Sequence, residues 1–423
     1  MKAGRARVWI ALAVAVLAAA GAVAILHGED DGRPEPDLDR GELPADAFLD
    51  SIGVVVHFNY VDTAYGRRDD VVARLRELGV RHIRDAMPSP VEPLGAGLRA
   101  ARQAGIHGTL ATGDVNHDPE AAVRDSLIVM GDAIDAFEGP NELDAGQAGW
   151  ASTLSSYMPR LAAAVNRQAP GVTLIGPSFI DPGNRSSLPA DLPGLVNEHP
   201  YPGGAPPEVA LAGAADEAER DPGRQGLVFT ETGYHNALRD RSDQPPVSEE
   251  AAAVYFPRLL LAAYALGARR TFIYELLDEK PDPALSDLQQ HFGLLRADFS
   301  PKPAFTAIKT LIAAVRSSPG AGDRARLPIR LGGEGADDVT HLTLVRGDGS
   351  RIVALWKQEP VWDRDTGRPI RPSRTPVDLH FGREVRDVEV WRPSVSPGPV
   401  RSLQRASDLR IDAGADVTLV SLR

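Results

Sequence analysis

The sequence predicts an α/β protein, a (β/α)8 TIM barrel followed by a small C-terminal β-sandwich domain. Short apolar runs alternate with stretches of helical periodicity, and the apolar runs begin roughly every thirty residues, the spacing of a barrel of about 250 residues. Gly79 and Gly105 each close a helical stretch, as helix-ending glycines do. After residue 318 the pattern changes to alternating apolar and polar residues separated by turns, which is typical of a β-sandwich.

Eight runs rich in β-branched and apolar residues are predicted as the barrel strands. They span residues 54–56, 80–83, 106–111, 134–137, 172–175, 195–198, 227–229 and 271–274. Helical spacing predicts helices at 69–78, 98–104, 157–166, 249–266 and 302–315. Strands of the sandwich are predicted at 340–345, 352–356, 377–381, 388–391 and 417–420.

The N-terminal segment is expected to direct the protein out of the cytoplasm. Lys2, Arg5 and Arg7 precede an uncharged run that ends at Leu26, and acidic residues follow it. This pattern fits a cleaved signal peptide or a retained membrane anchor equally well. We therefore expect a secreted protein, or one anchored to the outer face of the cytoplasmic membrane. The predicted divisions are a signal or anchor (1–26), an exposed acidic linker rich in Pro and Gly (27–46), the barrel (47–318) and the sandwich (319–423).

Composition excludes several classes of function. The 423 residues carry a net charge of −12, and no long basic run is present, so a nucleic acid is a poor partner. The chain has no cysteine, which excludes disulfides, thiol catalysis and Cys-ligated metals. His107, Asp114 and His117 match no helical metal-ligand spacing, so neither a metal nor another cofactor is expected.

Two glutamates follow predicted strands. Glu142 comes after the fourth strand and Glu231 after the seventh. A carboxylate at a strand end is costly unless it is solvated, paired or used, and a barrel brings its strand ends to one mouth. The pair therefore suggests a single site. The structural alternatives are a carboxylate in the first turn of a helix for Glu142 and a salt bridge for Glu231.

These surroundings resemble the glycoside hydrolases of clan A, with families 39 and 5 the most similar. The resemblance covers residues 50–315 and is carried by Asn141-Glu142, by Thr230-Glu231-Thr232-Gly233 and by His199-Pro200-Tyr201 between them. It implies a retaining enzyme with Glu142 as the acid/base and Glu231 as the nucleophile. Asn141 would bind the hydroxyl next to the reacting carbon. Arg84 and Tyr201 would orient the nucleophile, although a salt bridge from Arg84 to Asp85 is an alternative.

Other residues at the predicted mouth are candidate sugar contacts. By the resemblance, His199 would contact the substrate or the network of the nucleophile. His57 and Asn59 end the first predicted strand, and Trp150 could either stack on a sugar or pack internally. The chain departs from the clan at the eighth strand, where many members have Trp and this chain has Tyr274-Glu275. Glu275 is expected to contact the substrate or to pair with an arginine.

The sequence thus predicts a retaining glycoside hydrolase without a cofactor. Its expected substrate is an extracellular or cell-wall polysaccharide or oligosaccharide. One alternative is a non-catalytic barrel that binds polysaccharide. The other is a transglycosidase that uses the same two glutamates and differs in its acceptor.

Overall fold

The computed structural model describes residues 36–38, 40–90, 92–221, 223, 226–316 and 327–422. The predicted signal or anchor, half of the predicted linker and the predicted domain boundary at 318–319 lie outside these residues. Among the helices of the described segments, none combines the length and the apolar character needed to cross a bilayer.

The predicted barrel is present. A short strand, β1 (Glu42–Pro44), precedes it and belongs to a second sheet. The eight parallel barrel strands pair in the order β6-β5-β4-β3-β2-β9-β8-β7. The ring closes at Leu195, whose N–H donates to the carbonyl of Leu174 (3.0 Å) and whose carbonyl accepts from Gly176 (2.8 Å). The strands are β2 (Ile52–Val55), β3 (His82–Ala86), β4 (His107–Thr112), β5 (Ile134–Pro140), β6 (Thr173–Ile175), β7 (Val196–Glu198), β8 (Leu227–Thr232) and β9 (Ala268–Ile273).

Helices surround the barrel, and three of them were not predicted. Gly79 ends the second helix in the left-handed conformation, as its position in the sequence indicates (φ +87°). The unpredicted helices are α1 (Ala45–Asp50), α4 (Pro119–Met130) and α6 (Pro207–Glu219). The buried face of α6 is formed largely by alanines, which give a weak apolar periodicity. The helices are α1 (Ala45–Asp50), α2 (Arg68–Leu78), α3 (Pro93–Gln103), α4 (Pro119–Met130), α5 (Trp150–Gln168), α6 (Pro207–Glu219), α7 (Glu249–Ala265) and α8 (Pro303–Arg316).

The C-terminal domain is a separate β domain, as predicted. β1, β10–β12 and β15–β17 form one seven-stranded sheet, and β13 pairs with β14. Leu355 of β12 shares a buried core with Phe381 of β15 and Ile411 of β16, so one face of this sheet encloses an apolar core of its own. The strands are β10 (Arg330–Gly332), β11 (Thr340–Val345), β12 (Arg351–Trp356), β13 (Trp362–Asp363), β14 (Arg368–Pro369), β15 (Thr375–Trp391), β16 (Arg401–Ala413) and β17 (Thr418–Leu422).

A buried ion pair fixes the β domain to the outer helices of the barrel. Arg258 of α7 donates from Nε and Nη2 to the two carboxylate oxygens of Glu208 in α6, at 2.8 and 2.7 Å. The indole N–H of Trp356 donates to the same carboxylate at 2.9 Å, and Arg258 also reaches the carbonyl of Glu359. Because these charges are buried and fully paired, the domain contact is specific in its geometry.

The end of the predicted linker is folded, which corrects the expectation of an exposed segment up to residue 46. β1 pairs in parallel with β11, and Leu38 is only 1% exposed. Glu42 accepts a hydrogen bond from Nε of Arg351 (2.7 Å), and α1 begins at Ala45. The sequence did not predict this folded segment because one buried leucine and a three-residue strand are too short to show an apolar periodicity. The rest of the segment is rich in charged residues, Gly and Pro.

Removing this segment should destabilise the protein. We expect the free energy of unfolding of a chain that begins at Ala45 to be roughly 2–4 kcal/mol lower than that of a chain that begins at Pro36. The shorter chain loses the burial of Leu38 and the pairing of β1. Urea denaturation of the two chains measures the difference. Leu38→Ala in the longer chain should reproduce part of the loss, and equal midpoints for all three proteins would show that the segment does not contribute to stability.

Candidate active site

The predicted site residues meet at the C-terminal end of the barrel. β5 ends at Pro140, immediately before Asn141 and Glu142, and β7 ends at Glu198, immediately before His199. Arg84 lies in β3 and Glu231 in β8. The fourth, sixth, second and seventh barrel strands therefore each contribute to one cluster, as expected for side chains at the mouth of such a barrel.

Glu231 is held as an anion. Arg84 Nη1 donates to its Oε1 at 2.5 Å, and the hydroxyl of Tyr201 donates to its Oε2 at 2.8 Å. Burial of Glu231 opposes ionisation, but the charges of His199 and Arg84 and the hydrogen bonds from Tyr201 and Arg84 outweigh it, so the pKa of this carboxyl is lowered. An ionised carboxylate with fixed donors at both oxygens is suited to nucleophilic attack.

Arg84 is itself fixed by a second, fully buried glutamate. Its Nε and Nη2 each donate at 2.8 Å to one oxygen of Glu138, a bidentate pair. The predicted alternative, a salt bridge from Arg84 to Asp85, is not the arrangement found. Successive strand residues point to opposite sides, and Asp85 instead accepts from the backbone N–H of Phe58 at 3.0 Å. Glu138 therefore positions the guanidinium that contacts Glu231.

The amide of Asn141 has a defined orientation. Its Oδ1 accepts from Arg84 Nη2 at 2.6 Å and from the hydroxyl of Ser178 at 3.2 Å. Since both of these contacts are made by donors, the amide nitrogen points away from them and keeps its two N–H groups for another partner. Asn141 is thus arranged as a hydrogen-bond donor next to Glu142.

Glu142 shares a short hydrogen bond with His199. Glu142 Oε1 lies 2.6 Å from Nδ1 of His199, and Nε2 of the same ring lies 2.8 Å from the hydroxyl of Thr230. Burial lowers the pKa of His199, but the charge of Glu231 and the bond to Glu142 raise it further, so the net shift is upward. A protonated His199 donates to both neighbours, which places a proton next to the carboxyl of Glu142.

The backbone of Glu142 also departs from ordinary conformations. Its φ of +47° lies in the left-handed region, which costs a non-glycine residue on the order of 1 kcal/mol or more. α5 begins only at Trp150, so Glu142 is not in the first turn of that helix. The structural alternative of a helix-terminal glutamate therefore does not account for its position.

Glu142, His199 and Glu231 are close enough to act together. One carboxylate oxygen of each glutamate and one ring nitrogen of His199 all lie within 4.8 Å of one another. Such a set could coordinate a cation. However, Arg84 and Tyr201 already donate to both oxygens of Glu231, and a cation there would face the guanidinium. Because both oxygens of Glu231 already accept hydrogen bonds, this carboxylate is better suited to act as a nucleophile than to bind a metal ion.

His57, Tyr274 and Glu275 form a second group beside Glu231. Glu275 is fully buried, and its Oε2 accepts from the hydroxyl of Tyr65 at 2.8 Å. The predicted arginine partner is therefore replaced by a tyrosine. The rings of Tyr274 and His57 pack edge to face with centroids 5.7 Å apart, and Tyr274 also contacts Tyr201 at 6.4 Å. Tyr274 thus connects the second group to the donors of Glu231.

Asn59 and Trp150 are not part of this hydrogen-bond network. Asn59 is exposed on the turn after β2. Trp150 is half-buried at the start of α5, where its ring meets that of Phe179 with centroids 6.0 Å apart. Their proposed contacts with sugar remain predictions, since packing alone explains the position of Trp150.

Several residues that organise the site were not identified from the sequence. Glu138 is the most important of them. A charged residue that directly continues an apolar strand is unusual, and this feature could have identified it. Thr230 and Asn197 each donate to Glu138 Oε1 at 3.1 Å. Ser178 orients Asn141, and Tyr65 binds Glu275. These are common polar residues in strands and loops, and only the three-dimensional arrangement distinguishes them.

No protein-family model matches this chain, and no curated protein matches its sequence. Solved structures match its fold. A family 39 glycoside hydrolase from the gut symbiont Bacteroides cellulosilyticus WH2 is similar with a TM-score of 0.63 and 15% identity, over 90% of this chain and 82% of that one. The family 39 enzyme from Xanthomonas axonopodis pv. citri gives 0.58 and 17%, over 92% and 96%.

A monomeric beta-xylosidase from Caulobacter crescentus CB15 is similar with a TM-score of 0.56 and 13% identity, over 90% of this chain and 97% of that one. Identities this low show a common fold and do not show a common activity. The likeness spans both the barrel and the β domain. At the level of fold, it agrees with the resemblance to clan A and to family 39 that the sequence indicates.

Proposed function

We propose that the protein is a retaining glycoside hydrolase that acts on an extracellular or cell-wall oligosaccharide or polysaccharide. The observation that supports this most directly is the pairing of two glutamates with unlike partners at the barrel mouth. Arg84 and Tyr201 donate to Glu231 and favour its ionised form, whereas Glu142 is bonded to His199 and has an oxygen within 4.8 Å of an oxygen of Glu231. Double displacement requires one carboxylate that attacks and a second carboxyl group beside it that acts first as an acid and then as a base.

In the first step, the carboxylate of Glu231 attacks the anomeric carbon and forms a glycosyl–enzyme ester. Glu142 transfers its proton to the glycosidic oxygen as the bond to the leaving group breaks. The hydrogen bond from His199 to Glu142 supplies a route by which this proton is replaced. Arg84 and Tyr201 keep Glu231 ionised and aligned until the ester forms.

In the second step, Glu142 acts as a base. It removes a proton from a water molecule that attacks the anomeric carbon, and the ester to Glu231 is released. The free N–H groups of Asn141 are placed to donate to the hydroxyl next to the reacting carbon. Donation there would strengthen as charge develops in the transition state, because the oriented dipole is already in place.

Retention is the stereochemical outcome that the proposal predicts. Retaining pairs lie about 5–5.5 Å apart, whereas inverting pairs need about 6.5–9.5 Å to admit a water molecule. One oxygen of Glu142 lies within 4.8 Å of one oxygen of Glu231, a proximity that is compatible with a retaining pair. We therefore expect the first-formed sugar to keep the anomeric configuration of the substrate. Proton NMR of the product at early times measures this, and an inverted product would contradict the mechanism.

Aryl β-xylosides are the first substrates to test, because two of the similar structures are named as beta-xylosidases. Product analysis with and without an added acceptor sugar separates hydrolysis from transglycosylation.

An extracytoplasmic location is also part of the proposal. It is supported by the basic residues, the uncharged run and the acidic residues that succeed one another at the N-terminus. Fractionation of the producing cells tests it.

A further inference from the structure

A buried lysine joins the two chain segments that follow β8 and β9. Lys302 is 2% exposed and comes directly before α8. Its Nζ donates to Oδ1 of Asp278 at 2.8 Å, to Oδ1 of Asn236 at 3.1 Å and to the carbonyl of His291 at 3.2 Å. An ammonium group has three N–H donors, so all of them find a partner. The segment after β8, which carries Asn236, is thereby tied to the segment after β9, which carries the other two.

This ion pair holds the peptide on both sides of Phe292. The residue before it is His291, whose carbonyl accepts from Nζ of Lys302. The residue after it is Gly293, whose backbone N–H donates to Oδ1 of Asp278 at 2.9 Å. Hydrogen bonds to charged groups are stronger than those between neutral groups. The backbone of Phe292 is therefore fixed at both of its neighbours.

Gly293 is required for this arrangement. A Cβ at this position would lie 2.0 Å from the backbone nitrogen of Asp278 and 2.5 Å from the carbonyl oxygen of Leu295. The two stretches of backbone can approach this closely only where one of them has no side chain. The carbonyl of Phe292 also accepts from the N–H of Glu275 at 3.3 Å. Phe292 is thus attached to the chain immediately after β9.

The ring of Phe292 packs against the tyrosine that donates to the nucleophile. Phe292 is 3% exposed, and its ring meets that of Tyr201 edge to face with centroids 5.8 Å apart. It also meets the rings of Tyr274 and His235, each at 5.2 Å. Aromatic pairs prefer defined relative orientations, so these contacts restrict the tilt of each ring. The hydroxyl of Tyr201 donates to Oε2 of Glu231 at 2.8 Å, so the tyrosine that Phe292 restrains is the one that places this donor.

We propose that Phe292 is a positioning residue, which holds the hydroxyl of Tyr201 against Glu231. Lys302 and Asp278 act one step further away, because they fix the peptide on both sides of Phe292. The proposal rests on the proposed glycosidase function and adds three residues that act through Tyr201. A hydrogen bond weakens steeply when its angle departs from the preferred range, so a tyrosine ring that is free to tilt would donate less well.

The pH profile of Phe292→Leu is the first test. Arg84 donates to Glu231 and His199 lies 3.8 Å from it, so both favour the anion without help from Tyr201. We expect the variant to lower kcat/KM by about tenfold on the 4-nitrophenyl glycoside that the wild type cleaves best, the effect of weakening one hydrogen bond to a charge. The acidic limb should move to higher pH, and a limb that does not move would overturn the proposal.

A double-mutant cycle measures whether Phe292 acts through Tyr201. In Tyr201→Phe the hydroxyl is already absent, so adding Phe292→Leu should lower kcat/KM by less than about twofold. The same tenfold loss in both backgrounds would show that Phe292 acts by another route, which is incompatible with the proposal.

Phe48→Leu is the matched control. Phe48 lies in α1, is fully buried, and meets the ring of Tyr264 edge to face with centroids 5.5 Å apart. The substitution is the same and also removes a buried aromatic contact, but this contact is not made with a tyrosine of the site. We expect it to lower the unfolding temperature and to leave the acidic limb of kcat/KM in place. An equal shift of the limb in this variant would show that any loss of stability produces the effect.

The ion pair is tested by changing both partners, because removal of one alone leaves a buried charge without its partner. In the protein with Lys302→Met and Asp278→Asn, the amide oxygen at 278 can still accept from Gly293, but the charges are absent. We expect the acidic limb to move as in Phe292→Leu, and the two changes to add little when combined. An unmoved limb would exclude the ion pair from the positioning role. Phe292→Leu tests the ring contact even if the doubly changed protein does not fold.

The outcomes also distinguish this proposal from the function on which it rests. If the wild-type protein cleaves no 4-nitrophenyl glycoside and no oligosaccharide, the glycosidase function fails and the positioning role fails with it. If the wild type is active and Tyr201→Phe moves the acidic limb but Phe292→Leu does not, only the positioning role fails. Movement of the limb in both single variants, with little further loss when they are combined, supports both conclusions.

Discussion

Glu231→Ala should lower kcat by about four orders of magnitude or more on every substrate, because it removes the group that forms the covalent intermediate. The loss should not depend on the leaving group, because the covalent step is removed for every substrate. Arg84 and Tyr201 would then face a cavity instead of an anion. Steady-state kinetics on an activated aryl glycoside and on a natural oligosaccharide measure the effect.

Azide provides a control for this variant. A small anion that enters the cavity beside Arg84 can attack the anomeric carbon directly, and the glycosyl azide should have the opposite configuration from the substrate. Thermal unfolding should show that the variant remains folded. Retained activity above about one per cent of the wild-type kcat would rule out Glu231 as the nucleophile.

The pH profile tests the same assignment independently. Since the pKa of Glu231 is lowered, its ionised form persists above that pKa, and activity should disappear only as the pH falls through it. Tyr201→Phe removes a hydrogen bond that favours the anion. We therefore expect the acidic limb of kcat/KM to move to higher pH in this variant. An unchanged acidic limb would show that Tyr201 does not stabilise the charge of Glu231.

Much of the fold could be predicted because it depends on repeated local patterns. The barrel strands are buried apolar runs at regular spacing, and a helix ending such as Gly79 has a clear residue signature. The segment from Leu38 to Pro44 could not be assigned in this way. Its fold depends on one buried side chain and on pairing with β11, which lies about three hundred residues away and has no local signal.

The candidate site was predictable to the level of strand ends but not of contacts. A strand end determines that Arg84, Glu142, His199 and Glu231 share one mouth. It does not determine which side chains touch, because that depends on rotamers and on neighbouring strands. His199 was assigned to the substrate or to the network of the nucleophile. Its Nδ1 lies 3.8 Å from Glu231 but also 2.6 Å from Glu142, a contact that the sequence did not predict.

This contact adds a group that can donate and accept a proton beside the acid/base. Glu142 is bonded directly to an imidazole whose pKa is raised and which can exchange a proton with it. The hydroxyl of Thr230 donates to Glu138 and accepts from the other nitrogen of the ring, which fixes the plane of the ring. Glu138 anchors both Thr230 and Arg84, so the two catalytic glutamates are positioned by one buried carboxylate.

Glu142→Ala should produce a loss that depends on the leaving group. Without a proton donor, departure of a poor leaving group becomes slow, so we expect kcat/KM for a natural glycoside to fall by about 10³-fold or more. An aryl glycoside whose leaving group needs no protonation should form the intermediate nearly as fast as in the wild type. A plot of log(kcat/KM) against the pKa of the leaving phenol should become much steeper.

The second step of the same variant should also respond to added azide. Water attack on the ester to Glu231 needs the base that was removed, whereas azide is already an anion and needs none. We therefore expect azide to increase kcat on activated substrates and to give a glycosyl azide with the configuration of the substrate. That configuration is opposite to the one expected for Glu231→Ala. The two glutamates are assigned different roles, so their variants should differ in both tests. The assignment would be contradicted if both variants lost the same activity on all leaving groups. It would also be contradicted if both gave the same azide anomer.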